Sequence, residues 1–345
     1  MLSTKSDNMA VLESDSSIDC GEAPESVTAA TTDSPLTRTQ MHLAMLAAVA
    51  LPPLGVMCAM YLLWGGWFEW PSLIALVVMY IATGLGVTIG YHRLFAHKAF
   101  VTTTPISVFL MILGGMSAQG PLIWWVGTHR RHHRFSDQEE DPHSPHACRA
   151  RGVIGWTKGF LHAHVGWLFT STKESNHQYV PDLLSNPTIM TVNRLFPLWV
   201  AAGLVLPGIV CGLVTMTWSG AALGVLWGGL IRMFLLHHST WSINSVCHVW
   251  GWRDYRSDDH SRNNPVMGIL SFGEGWHNNH HAFPTSARHG LKWWQLDISW
   301  LVIRSLQACG LATHVRLPTE LRMKSRRRAE CRTAQCRYES PTQAD

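Results

Sequence analysis

Polar residues dominate the start of the chain, and long apolar runs begin abruptly near residue 42. Residues 1–40 are rich in Ser, Thr and Asp with few large apolar side chains, a composition that cannot repay the entropy of folding, so a disordered tail is expected. This segment also lacks the basic start, apolar core and small-residue cleavage site of a signal peptide. Beyond it, the stretches 42–64, 72–90, 195–218 and 221–238 are apolar over the roughly 20 residues that a helix needs to cross a bilayer. The third contains Pro197 and Pro207, which membrane helices tolerate better than soluble ones. Charged residues make up only 14% of the 345 residues, too few for an ordinary soluble protein of this size, which favours membrane helices over buried soluble ones.

The connections between paired helices, "GGWFEWP" at 65–71 and the turn at Ser219 and Gly220, contain no Lys or Arg. Nearly all basic residues lie in the N-terminal tail, in the middle segment 91–194 and after 238, so the positive-inside rule places both termini and the middle segment in the cytoplasm. A fifth apolar stretch, 105–125, would put residues 92–97 and 129–133 on opposite sides if it crossed. Gly114, Gly115, Gly120 and Pro121 interrupt it, and a broken helix in or beside the interface is expected. The fold expected is all-α: an integral membrane domain over 41–312 with four transmembrane helices and a cytosolic helical cap, followed by a basic, flexible tail over 313–345.

Twenty histidines change this picture, because they are clustered. His92 and His97 stand in "HRLFAH", His129, His132 and His133 in "HRRHH", and His277, His280 and His281 in "HNNHH". HxxHH spacing puts imidazoles at i, i+3 and i+4, on one face of a helix. In "WSINSVCH", Asn244 and His248 stand at i and i+4, so a helix continuing past the membrane would aim both at the same place. These are nine candidate imidazole ligands and one amide on one side of the membrane, more than one ion takes, so two ions are implied. Thiolates are absent from the clusters, and the eight cysteines form no CxxC pair, which points away from zinc ribbons and disulfide frameworks. Magnesium and calcium need oxygen ligands. Nine nitrogens suit two redox-active ions of higher coordination, iron above all. Heme, the rival, is held by single separated histidines within membrane helices. His42, His143, His146, His162, His177, His237, His238, His260, His289 and His314 lack the repeating geometry and read as surface or packing residues; His164 is a candidate supporting residue behind the ligands.

Taken in order and at their separations, "HRLFAH", "HRRHHRFSDQEEDPH", "HVGWLF", "WSINSVCH" and "GEGWHNNHH" resemble the membrane fatty acid desaturases of the stearoyl-CoA delta-9 type, and a bacterial member is expected. The resemblance covers about residues 42–312. It implies a histidine-ligated di-iron centre in a cytosolic cap and a bent tunnel presenting one pair of acyl methylenes to the metals. Carried over by position, the ligands are His92, His97, His129, His132, His133, His248, His277, His280 and His281, with Asn244 acting through a water. Gln119 and Trp125 match positions near the tunnel bend, and Thr240 and Trp241 are further candidates for its lining. Asp137 and Asp141 are placed to receive the second N–H of ligand histidines, and Glu274 is a weaker candidate for the same task.

Where animal members carry charged or amide residues that hold CoA, this chain reads "QGPLIWWVGTHRRHH", with Gly120, Gly127 and Thr128. The acyl carrier is therefore open among CoA, lipid and carrier protein. No heme-binding "HPGG" and no GxGxxG fingerprint occur, so electrons are expected from a separate ferredoxin or cytochrome b5 type of carrier with its reductase. O2 is the expected co-substrate, membrane lipid the surroundings, and no nucleic-acid partner is expected. The location implied is the inner membrane of a bacterium, or the endoplasmic reticulum of a eukaryote. A hydroxylase using the same metal site is the alternative outcome. A histidine-rich metal transporter fits less well, because the clusters lie outside the apolar stretches.

Overall fold

The computed structural model describes residues 38–146, 152–170 and 173–328. The expected N-terminal tail lies almost wholly outside the described residues, as does the C-terminal tail from residue 329. Among the described residues four helices are long and apolar enough to cross a membrane: Leu43–Trp64, Trp70–Ala96, Phe196–Thr215 and Trp218–Val249. Prolines pre-set the first turn of the second and third, where a missing N–H costs nothing. Thr217 caps the fourth, its hydroxyl accepting from Gly220 N at 3.0 Å. Leu54, Met57, Tyr61, Ile74, Val78 and Leu213 face outward and exposed, the inverse of a soluble core, so these faces call for apolar surroundings.

The second long helix packs against the 13-residue helix Thr104–Met116 with little between them. A side chain at Gly86 would run into the backbone of Gly114, which is why Gly stands there. At about 1.5 Å per residue the short helix spans about 20 Å, too little for a hydrocarbon layer of about 30 Å. The interruption expected within 105–125 falls at 117–121, where Ala118 and Gly120 have φ of 59° and 106°, before the helix Leu122–Phe135 begins.

The fourth long helix has 32 residues, hence a length of about 48 Å, more than a hydrocarbon layer of about 30 Å, and Asn244 and His248 stand on its last turns. Over these ends sits a cap built from 136–146, 250–297 and the fully buried helix His277–Ala282. Val101–Thr102 pairs antiparallel with Ala312–Thr313 and ties the cap's last segment down. The chain from 313 to 328, expected as part of a flexible tail, is attached instead. Arg316 N donates to Ala99 O at 2.8 Å, Arg328 N to Asp254 O at 3.0 Å and the Arg326 guanidinium to Ala282 O at 2.8 Å. Met323 packs on the Tyr255, Ala282 and Phe283 cluster, an apolar anchor that the surrounding run of charges hid in the sequence.

Candidate metal centre

His92 and His97 are five residues apart, a spacing that an α-helix splays. Here Gly86–Ala96 winds as a π-helix, and His97 N donates to His92 O at 3.0 Å, an i to i+5 bond. The wider turn brings the two Nε2 atoms to 3.1 Å. The HxxHH segments occupy two helices facing each other, Leu122–Phe135 and His277–Ala282, and His248 ends the fourth long helix.

All nine expected ligands converge in two groups whose ligating atoms lie within 4.8 Å of one another: His92, His97, His129, His133 and His280 in one, His132, His248, His277 and His281 in the other. Each HxxHH helix serves both. Residues 129 and 133, at i and i+4, go to the first group while His132 goes to the second; on the facing helix, His277 and His281 go to the second while His280 goes to the first. This exchange locks the two groups together.

The ring orientations show what these groups can hold. A neutral imidazole carries a proton on one nitrogen and a lone pair on the other. His132 turns Nδ1 toward Asp141 at 2.9 Å and His281 turns Nδ1 toward Asp259 at 2.6 Å, so each Nδ1 holds the proton and each Nε2 presents a lone pair. Those Nε2 atoms stand 3.3 Å apart. His92 and His248 are oriented alike, by Glu274 at 2.6 Å and Asp137 at 2.8 Å. The facing Nε2 lone pairs of His132 and His281, with no donor between them, repel, and a cation between them removes the conflict.

The spacing also fits an ion. The Nε2 atoms of His97 and His129 are 2.8 Å apart, those of His248 and His277 3.0 Å and those of His92 and His280 3.1 Å. Neighbouring ligands with metal–nitrogen bonds of about 2.1 Å would be about 3.0 Å apart in an octahedron and about 3.4 Å apart in a tetrahedron. Burial, reinforced by mutual repulsion among neighbouring rings, pushes His97, His129, His133, His277 and His280 well below the ordinary histidine value, so they are neutral donors near pH 7.

Burial alone would raise the carboxylates, but their histidine partners prevail. Asp141 is brought down to about 2 by His132 and His143, and Glu274 lies well below the carboxylate range beside His92, His289 and Arg93. Asp137 and Asp259 are likewise held low beside His248 and His281. Asp137 also accepts from Ser144 Oγ and His260 N, each at 2.7 Å, which fixes the carboxylate that orients His248.

Asp137, Asp141 and Glu274 each face the Nδ1 of a histidine in the two groups, His248, His132 and His92 respectively. Asp259 was not foreseen: nothing in "SDDHS" separates it from the exposed Asp258. His143 and His289, read as packing residues, are buried against ligand rings, at 4.4 Å between centroids from His132 and from His280 respectively. His289 Nδ1 is 3.3 Å from Glu274 and 3.1 Å from Arg93 Nη2. His164, expected behind the ligands, has its nitrogens at 2.9 Å from Ser245 Oγ and His238 Nδ1 instead of on a ligand's carboxylate or ring. Asn244 is half-buried one turn before His248. Trp125 stacks on His129 at 5.1 Å. Trp241 and Trp125 share an apolar cluster with Trp124 and Trp167, directly beside the histidines. Gln119 holds its amide nitrogen enclosed and unpartnered, while Thr240 Oγ1 donates to Leu236 O, within its own helix.

A fatty acid desaturase family model matches residues 68–308, which includes all nine histidines. The chain belongs to the fatty acid desaturase family. Among curated relatives it is 43% identical, over 81% of this chain and 87% of the other, to a hex-5-enoyl-[acyl-carrier protein] acetylenase of Moorena producens. It is 40% identical to the sn-1 stearoyl-lipid 9-desaturase of Anabaena variabilis, over 72% of this chain and 86% of the other. To the icosanoyl-CoA 5-desaturase of Limnanthes douglasii it is 38% identical, over 74% and 68%. The protein is therefore an acyl desaturase, an oxidoreductase acting on fatty acyl or lipid substrates, and its histidine groups are compatible with a metal centre. The three carriers named among these desaturases leave the choice of carrier to this chain's own residues.

Proposed function

We propose that this enzyme inserts a cis double bond at the delta-9 position of a saturated acyl chain carried on a membrane lipid, using two iron ions, O2 and electrons from an external carrier. The observation that supports it most is the division of nine inward-facing imidazoles into groups of five and four, with neighbouring Nε2 atoms 2.8 to 3.3 Å apart and no thiolate in either group. An unactivated methylene resists any acid or base in a protein, and the iron pair, when bound, supplies the oxidising power of O2 for removing hydrogen from two adjacent carbons. The balance takes one saturated chain, O2, two electrons and two protons to one double bond and two waters.

The chain's own residues do the rest. Asp137, Asp141, Asp259 and Glu274 hold the Nδ1 protons of His248, His132, His281 and His92 and keep those rings aimed inward. Asn244 reaches the four-histidine group through a water. Gln119, Trp125, Thr240 and Trp241 line the acyl path, and the tryptophan cluster around Trp241 keeps water out. A lipid carrier suits the stretch 120–128, "GPLIWWVGT", which offers no charge to a CoA phosphate. Both termini and the cap lie in the cytoplasm, in keeping with connections free of Lys and Arg. There the exposed Arg322, Lys324, Arg326, Arg327 and Arg328 favour encounter with an acidic ferredoxin or cytochrome b5 type of carrier.

The test is expression of the full chain in a host whose lipids carry only saturated acyl chains, followed by mass spectrometry of the lipids. A cis delta-9 double bond on intact lipid is the expected result. Hydroxy acids in its place would overturn the desaturation outcome, and product confined to free CoA thioesters would overturn the lipid carrier.

A further inference from the structure

Arg232 lies within the fourth long helix with 0% of its surface exposed. Its donors meet only backbone carbonyls: Nε reaches Gly228 O at 3.2 Å, Nη1 Met116 O at 2.9 Å and Nη2 Gly203 O at 2.9 Å. Among the described residues no carboxylate pairs with it. A fully enclosed cation costs several kcal/mol to desolvate, so its place needs an explanation.

Two of the three acceptors provide one, because each is a carbonyl that its own helix leaves short of a partner. In an α-helix Gly203 O would accept from the N–H of residue 207, which is Pro207 and has none. Met116 ends its helix, so its carbonyl has no continuing turn to bond it. The third, Gly228 O, lies one turn back in the helix that carries Arg232, within the π-wound segment Val225–Ile231. One guanidinium fork thus joins a proline gap, a helix end and a π segment. The positive charge also sits at the negative end of helix 104–116. Gly203 makes the approach possible: a side chain there would strike Met116 O.

Five residues on, the buried His237 donates from Nε2 to Ser117 O at 2.9 Å. Two successive carbonyls, of Met116 and Ser117, are therefore gripped from the fourth long helix just where the chain breaks. Next in sequence come Ala118 and Gly120 with positive φ, Gln119 with its enclosed amide between them, and then Trp124 and Trp125 at the start of the helix that carries His129, His132 and His133. Any slip of the break moves Gln119 and Trp125 relative to the histidines.

We propose that Arg232 and His237 are positioning residues that fix the break at 117–121, and through it decide which carbon–carbon bond of the acyl chain faces the metal centre. This rests on the reading that Gln119 and Trp125 line the acyl path. The grip falls on the one segment that links that path to the ligand helix, which a merely stabilising contact would have no reason to select.

The experiment compares the full-length parent with Arg232→Met, Arg232→Lys, His237→Leu and Gln119→Ala in a host whose phospholipids carry only palmitoyl and stearoyl chains. Double-bond position is read by mass spectrometry, alongside iron per purified chain. Arg232→Met and His237→Leu should raise the share of neighbouring double-bond positions by about tenfold, which corresponds to about 1.4 kcal/mol between competing barriers, with iron per chain as in the parent. Arg232→Lys, which keeps the charge and one donor direction, should restore part of the selectivity. Unchanged positions with only less product in both clamp variants would overturn the proposal. Should Arg232→Met fail to accumulate, His237→Leu, which removes a single hydrogen bond, decides by the same criterion. A shift with Gln119→Ala but none with the clamp variants would overturn the clamp alone; no shift in any variant would overturn the acyl-path reading with it.

Discussion

The Nε2 atoms of His132 and His281 stand 3.3 Å apart, each on a ring whose other nitrogen faces a buried carboxylate. Two lone pairs held face to face by their own hydrogen-bond partners are a poor arrangement for a metal-free protein and a good one for a metal site. The carboxylates are therefore as much a part of the site as the imidazoles.

Asp259→Asn and Asp141→Asn should each weaken metal retention by about 10- to 100-fold without removing a ligand, since an amide no longer fixes the proton on Nδ1. Chelator competition followed by metal analysis measures this. His177→Ala, which belongs to neither group, is the control; equal loss in the control would mean that the carboxylates are not special.

Metal-stripped protein should lose stability as the solution is acidified. For the five buried rings whose folded values lie below the ordinary 6.5, the unfolded chain binds protons first, so stability is full above about pH 6.5 and falls as pH drops below it. Asp141, lowered from 3.8 to about 2, adds stability that is present above about pH 4 and lost as pH falls toward 2. Thermal melts of stripped and loaded protein between pH 8 and pH 5 check the histidine contribution, and melts continued toward about pH 2 check that of Asp141. A stripped-protein melting temperature that rises on acidification would contradict the burial of neutral rings.

Much of this was legible in the chain. The apolar runs fixed four long helices because length and lack of charge are local properties, and each HxxHH announced a face because i, i+3 and i+4 align on any helix. What could not be read is what depends on winding and pairing. "HRLFAH" becomes a ligand pair only through the π turn over Gly86–Ala96. The assignment of His132 and His280 to the opposite group from their sequence neighbours requires two facing helices. Asp259, His143 and His289 sit beside the expected ligands by tertiary contact alone, and Arg232, a single charge in an apolar run, gave no hint that Gly203 and Met116 would supply its acceptors.

Topology is open to direct test. Reporter tags placed after residues 68 and 219 should lie outside the cytoplasm, and tags at 150 and at the C-terminus inside. A tag at 150 found outside would place the cap on the wrong face for a cytoplasmic electron carrier.

Pro207 and Arg232 should be energetically coupled. Pro207→Ala returns an N–H to Gly203 O, so the thermal cost of Arg232→Met should be smaller in the Pro207→Ala background than alone, by a coupling of about 0.5–1 kcal/mol. Simple additivity would mean that the carbonyl freed by the proline is not what Arg232 answers.

The central claim is that the two histidine groups hold two iron ions, and metal analysis of the purified full-length protein tests it most directly. Two irons per chain are expected, falling sharply in His132→Ala and His280→Ala, one residue from each group, with turnover lost in both. Zinc in place of iron at full occupancy, or parental iron content with retained turnover in either variant, would contradict the account.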